Sequence, residues 1–278
     1  MHNIALTWQQ AAAVAAVLLA VALLLRMSDR PGARRAAPFA VESCLIAGLY
    51  SLWQLAGSLS VLGMSGAFRR AGDIVQWEHD WHLPSEATVQ RQVIGHPLIV
   101  QASNVYYASM HFGAIFVFLV WLFVRHRDRY PSVRTTLAWT TLVCLLIQLV
   151  PVAPPRLLPS FVDTATTYGQ SVYSLGLAPD QLSAMPSVHV AWAVLVGWAV
   201  IRISTSPWRW WVLAHPVLTV FVVVATANHF WLDGIVAVAV LIACALAQRG
   251  ARGVVHAVRR PAVGSDVLSD AAISPMLR

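Results

Sequence analysis

The sequence predicts an all-α fold: a polytopic transmembrane helix bundle with a six-helix core, one extra N-terminal transmembrane helix, and amphipathic helices lying in the interface. Three observations predict it. Of the 278 residues, 58% are hydrophobic and only 11% charged, and the mean hydropathy is +0.64, so the chain carries more apolar surface than water tolerates. Segments at about 6–26, 42–64, 105–125, 134–152, 186–203, 210–228 and 230–248 approach the ~20 apolar residues that a spanning helix needs. All 19 basic residues are arginines, most of them in short clusters between those segments. That is the distribution of topology signals rather than of a nucleic-acid surface, and no nucleic-acid partner is expected.

The first apolar stretch, Ala11 to Leu25, runs directly into Arg26 with no small-residue cleavage site, so it reads as a retained anchor. With the arginine-bearing loop that follows, it makes up residues 1–35. Residues 36–250 form the membrane core, and the polar, Gly- and Ser-containing residues 251–278 are expected to be a disordered cytoplasmic tail. Arg26/Arg30/Arg34/Arg35, Arg125/Arg127/Arg129/Arg134, Arg202/Arg209 and Arg249/Arg252/Arg259/Arg260 all fall on the cytoplasmic side if the passes alternate. The N-terminus then lies outside, the C-terminus inside, and the connections 65–104, 153–185 and the turn at Asn228-His229 share the non-cytoplasmic face. Residues 65–104 place Ile74, Trp77, Trp81, Val89, Val93 and Ile94 among polar residues, which predicts interfacial amphipathic helices broken at Pro84. The stretch 153–185 carries Pro154, Pro155, Pro159 and Pro179 and reads as a structured loop. Cys44, Cys144 and Cys244 lie singly in apolar segments, without the spacing of metal or disulfide sites.

Ionisable groups beside spanning helices are costly and need a partner or a task. Pro186-Ser187-Val188-His189 opens the fifth apolar segment, where Pro suits the first helical turn and the unpaired amides favour an oxyanion. Ser187 and His189 are placed to reach a phosphate held there. Asn228-His229-Phe230-Trp231-Leu232-Asp233 opens the last segment at the same face. His and Asp four residues apart share a helix face, so Asp233 can orient one imidazole nitrogen of His229 and leave the other as a nucleophile. Arg156, in Pro154-Pro155-Arg156 just beyond the fourth segment, has the planar fork that suits a phosphate. Each of these also has a plainer reading: an interfacial histidine, a helix-closing pair, a lipid-headgroup contact. The arginine topology, an independent argument, puts all three on one face.

In their order, Arg156, then Pro186-Ser187-x-His189, then His229-x-x-x-Asp233 resemble the three signature motifs of the type 2 phosphatidic acid phosphatase superfamily, above all the branch similar to inositol phosphorylceramide synthases. The resemblance spans roughly residues 40–248. Asn104-Val-Tyr106-Tyr107 followed by His111 also resembles a polar cluster of that branch. The resemblance implies a six-helix phosphatase or phosphotransferase core and a phosphorylated lipid substrate. It makes His229 the phosphohistidine nucleophile, Asp233 its orienting partner and His189 the group that protonates the leaving oxygen. Arg156, Ser187, Asn228, His111 and Tyr107 would line the phosphate site. Water, or a polyol or lipid alcohol acceptor, would take the phosphoryl group, and the scheme needs no metal or other cofactor. The chain departs from the phosphatases' usual pattern at Leu149, where a Lys commonly stands, at Val222-Val223 in place of Ser-Arg, and at Val188 in place of Gly. With fewer cations, the site is expected to favour head-group transfer, of the inositol-phosphate type, over hydrolysis of phosphatidic acid or a polyprenyl diphosphate. An integral protein of the plasma membrane is expected, with its site on the non-cytoplasmic face.

Two other classes stay open at this stage. A metal-dependent membrane hydrolase could draw on Glu78-His79-Asp80-Trp81-His82 and His96. A transporter or scaffold would use none of these groups chemically.

Overall fold

The computed structural model describes residues 6–60, 64–169 and 182–258. Among the described residues ten α-helices follow one another: α1 Trp8–Met27, α2 Pro31–Ser60, α3 Met64–Asp80, α4 Glu86–Ile94, α5 Pro97–Arg125, α6 Tyr130–Gln148, α7 Thr164–Tyr168, α8 Val188–Ile203, α9 Ala214–Ala225 and α10 Trp231–Val258. A tight 3-10 turn over Pro155–Leu157 and a longer one over Pro207–Leu213 complete the order. The protein is thus an all-α polytopic bundle. The expected tail beyond Val258 lies outside the described residues.

Helices α1, α2, α10 and the continuous Pro207–Ala225 stretch are long and apolar enough to cross a bilayer, and α5 adds a fifth if its two halves, bent by 43° between Met110 and Phe112, count as one span. Helix α8, only 16 residues long, and α6, which carries Thr135, Thr136, Thr140 and Thr141, fall short of that test. Both are inner helices of the bundle, where protein and not lipid surrounds much of the surface. Helix α5 starts at Pro97 and not near 105, because the polar residues that looked like a break are satisfied inside the fold. Asn104 donates to the carbonyls of Thr164 (3.1 Å) and Gly169 (3.2 Å) and accepts from the Thr164 hydroxyl (3.0 Å).

Helix α8 sits centrally against α5, α6, α9 and α10, burying Val190, Ala191, Ala193, Leu195, Val196 and Ala199. Its small residues permit close approach. A Cβ added at Gly197 would meet Pro216 at 3.4 Å, and one at Gly234 of α10 would meet Val190 at 3.6 Å. Ile115, Phe118, Leu122, Val133, Leu195 and Leu241 fill the space between α5, α6, α8 and α10. Helices α1 and α2 form a hairpin, tied where Ser51 donates to the Trp8 carbonyl (2.8 Å) and Gln54 to the Leu6 carbonyl (2.7 Å). The hairpin joins the core through α6, where Arg134 pairs with Glu42 in a mostly buried contact. Removing one partner of such a pair strands the other. Glu42→Ala is therefore expected to lower stability by about 1–3 kcal/mol, read as a lower thermal midpoint in detergent, and adding Arg134→Ala should recover part of the loss.

The expected interfacial helices are α3 and α4, separated at residues 81–85 around Pro84. Along α3, Ala67, Ala71, Ile74 and Glu78 are buried at helical spacing, while Phe68, Val75 and Trp77 face outward. The inner line packs on Val152, Ala153, Leu182, Ala184, Phe230 and Leu232. Those residues belong to the connections at one end of the bundle, so α3 covers that end.

Candidate active site

The connections after α6, before α8 and between α9 and α10 are stitched together by backbone hydrogen bonds. Val152 donates to the Leu182 carbonyl (2.7 Å) and Ala184 to the Val152 carbonyl (3.1 Å). The Arg156 amide donates to the Ala227 carbonyl (2.8 Å), and the Ser187 amide to the Asp233 carbonyl (3.1 Å). Segments separated by 30 to 71 residues in sequence, and carrying all three motifs, are thereby held as one surface.

Helix α9 ends because Ala227 adopts a left-handed conformation, φ 54°, turning the chain so that the Asn228 and His229 amides both donate to the Val223 carbonyl (2.9 and 3.1 Å). His229 therefore lies in the turn before α10, not on the face of a regular helix as its spacing from Asp233 suggested. Asp233 still reaches it. Its Oδ2 is 3.4 Å from His229 Nδ1 and also accepts from the Phe230 amide at 2.8 Å, closing the first turn of α10. The nearer partner of Nδ1 is the Ala184 carbonyl at 2.7 Å. Between a carbonyl and a carboxylate, Nδ1 must carry the ring proton. That leaves Nε2 as the lone-pair nitrogen, and it faces His189 Nδ1 at 3.3 Å. His229 and Asp233 are 4% and 0% exposed.

Helix α8 begins two residues later than its sequence implied: Ser187 is the N-cap, its hydroxyl accepting from the Val190 amide at 3.4 Å, and Pro186 lies before the cap. Ser187 is thus turned into the helix end, while His189 in the first turn projects towards His229. Tyr107 of α5 stacks on the His189 ring, with centroids 4.6 Å apart and planes at 27°, and lies 6.5 Å from the His229 ring. The side chain of His111 lies outside the described residues.

Arg156 is 4% exposed and held from two sides: Nε donates to Asn228 Oδ1 (3.1 Å) and Nη1 to Asp163 Oδ2 (3.2 Å). Asn228 is fixed in turn, donating to the Thr226 hydroxyl (2.8 Å). Its place in the site is as the support of Arg156. Asp163 also accepts from the Ala165 and Thr166 amides that open α7, so the guanidinium sits on a rigid platform.

The sequence reading missed the Ala184 carbonyl, Asp163, and two carboxylates at the start of α10. Glu78 Oε1 accepts from the Leu232 amide (2.7 Å) and Glu86 Oε1 from the Trp231 amide (3.2 Å). One signal was available: Glu78 stands on the apolar line of an amphipathic helix, where an unpaired carboxylate is costly. Glu78 points inward while its neighbours His79 and Asp80 are exposed, and among the described residues no group of three or more His, Cys, Asp or Glu is placed to hold a metal ion.

No curated protein and no solved structure matches the chain. The model of the PAP2 superfamily, a family of phosphatase-type lipid enzymes, matches residues 72–247, from within α3 to within α10 and across every residue of the site just described. A membrane-embedded, all-helical chain with that match over most of its length belongs to the PAP2 superfamily.

Proposed function

We propose that the protein is a lipid phosphotransferase or phosphatase working through a phosphohistidine on His229, with inositol-phosphate-type head-group transfer as the favoured reaction. The observation that carries the mechanism is the paired imidazole geometry: His229 Nδ1 held by Ala184 and Asp233, and Nε2 facing His189 Nδ1 at 3.3 Å. The phosphoryl group of a lipid enters between the rings. His229 Nε2 attacks phosphorus, the P–O bond to the lipid alcohol breaks, and the His189 proton passes to the departing oxygen. Asp233 stabilises the positive charge on the phosphorylated ring. Arg156 balances the charge on the equatorial oxygens. His189 then takes a proton from water or an acceptor hydroxyl, whose oxygen attacks phosphorus, breaks the N–P bond and regenerates His229.

The preference for an alcohol acceptor rests on the thin set of cations. Val222 and Val223 are buried apolar residues of α9, so they add no charge for the three anionic oxygens of a phosphomonoester. A phosphodiester donor carries less charge and is the better match. The arginine clusters fall in or beside the α1–α2, α5–α6 and α8–α9 connections and the last turns of α10, not in the connections that carry the site, which supports an active surface on the non-cytoplasmic face and a cytoplasmic C-terminus.

The test is incubation of the purified protein with labelled phosphatidylinositol, phosphatidic acid and polyprenyl diphosphate, with and without polyol or lipid-alcohol acceptors. A new labelled phosphodiester is the expected product with an acceptor, and activity should be undiminished by EDTA. Release of phosphate alone from phosphatidic acid would assign the hydrolase instead, and loss of turnover on chelation would overturn the metal-independent route.

A further inference from the structure

Glu78 and Glu86 come from different surface helices, yet they accept hydrogen bonds from consecutive amides, Leu232 at 2.7 Å and Trp231 at 3.2 Å. These are the first two residues of α10, two and three positions after His229. Free amides at a helix start attract anions, but two carboxylates side by side repel. Glu78 is 3% and Glu86 5% exposed, so water does little to screen them. The second oxygen of Glu78 is buried and makes no ordinary hydrogen bond, which marks it as the atom where a proton directed at Glu86 would sit. The same helix pair grips the site elsewhere: the Trp231 indole donates to the Pro84 carbonyl (2.7 Å), and Gln90 exchanges two hydrogen bonds with Val162, beside Asp163.

We propose that Glu78 and Glu86 share one proton and act as positioning residues, locking the first turn of α10 onto α3 and α4 and so fixing where His229 stands. The Glu78 carboxyl accepts from Leu232 through one oxygen and donates its proton to Glu86, whose carboxylate also accepts from Trp231. The charged groups facing Glu78 are Glu86 of α4 and Asp233 of α10. Burial first, then the hydrogen bond and charge of Glu86, push Glu78 from 4.5 up to about 9. Because folding tightens the hold of Glu78 on its proton, the stabilisation is complete below the ordinary carboxyl range. It is withdrawn as pH rises towards about 9, when two carboxylates face each other and the lock opens.

The inference concerns the site assigned above and rests on that reading only for its catalytic consequence, so the experiment has two readouts on the full chain in nanodiscs. Hydrogen–deuterium exchange of residues 228–235, corrected for intrinsic rates, reports the lock without any substrate. Formation of a new phosphodiester from dioctanoyl phosphatidylinositol and a lipid-alcohol acceptor reports kcat and KM. The wild type should protect these amides at pH 7 and lose protection above about pH 9. Glu78→Gln, whose amide can accept from Leu232 and donate to Glu86, should keep both protection and kcat to higher pH. Glu78→Ala should lose protection at every pH and lower kcat by about 10- to 100-fold with KM little changed. The proposal fails if Glu78→Gln opens at the same pH as the wild type, or if Glu78→Ala keeps wild-type protection or wild-type kcat. A wild type inactive on the lipid counts against the functional reading alone, and exchange then decides the lock by itself.

Discussion

Replacing His229 with alanine is expected to abolish turnover, by on the order of 10⁴-fold or more, and to remove acid-labile phosphate from protein trapped during reaction. Among the described residues no neighbouring group can substitute. His189 presents Nδ1 to His229 at 3.3 Å, but in the proposed reaction its ring, stacked on Tyr107, serves as the acid, and Asp233 is fully buried beneath the turn. The folded state should survive the change, because α10 is closed by Asp233, Glu78 and Glu86 on the amides of Phe230, Leu232 and Trp231. A thermal midpoint close to that of the wild type would show that the lost turnover is chemical. Retained turnover, or retained acid-labile label, would remove His229 from the mechanism and reopen the transporter class.

The second large effect is expected at Arg156. Arg156→Lys keeps a positive charge but loses the planar fork whose Nε and Nη1 reach Asn228 and Asp163 at 3.1 and 3.2 Å. A lysine can satisfy one of those acceptors and has no fixed plane to present to phosphate oxygens. The expected loss is about 10²- to 10³-fold in kcat, the scale of one preorganised oxyanion donor. Arg156→Ala should be worse and also unstable, since the side chain is 4% exposed and Asp163 would lose its counter-charge. Wild-type kcat in Arg156→Lys, measured on whichever lipid proves active, would show that the guanidinium only braces the loop.

Much of this was legible in the sequence, for physical reasons that differ between residues. Spans and surface helices follow from hydropathy and helical period, which are local, and α3 and α4 fall on either side of Pro84 as the pattern implied. Arg156, His189, His229 and Asp233 were readable because rare polar residues stood at the ends of apolar segments whose alternation put them on one face. The failures are contacts made across the chain. Asn104 looked like a break until Thr164 and Gly169, 60 and 65 residues away, supplied its partners. Glu86 meets Trp231 across 145 residues and Glu78 meets Leu232 across 154, separations that no periodicity reports. Ser187 was assigned to the substrate from its place in a motif, whereas its hydroxyl is turned to the helix it caps. Asn228, assigned likewise, bonds to Arg156 and Thr226.

The 2.7 Å contact between His229 Nδ1 and the Ala184 carbonyl has a consequence for how this site can be probed and how it can drift. An amide oxygen belongs to no side chain, so alanine scanning passes over residue 184 without a signal, however much the imidazole depends on it. The acceptor is instead set by the route of the polypeptide through Ser183, Met185 and Pro186, and by the strand-like pairing of Ala184 with Val152 at 3.1 Å. Changes of side-chain identity along that stretch are neutral as long as the route is kept, and insertions or deletions of one residue are not. The tautomer of His229 is thereby written into loop length.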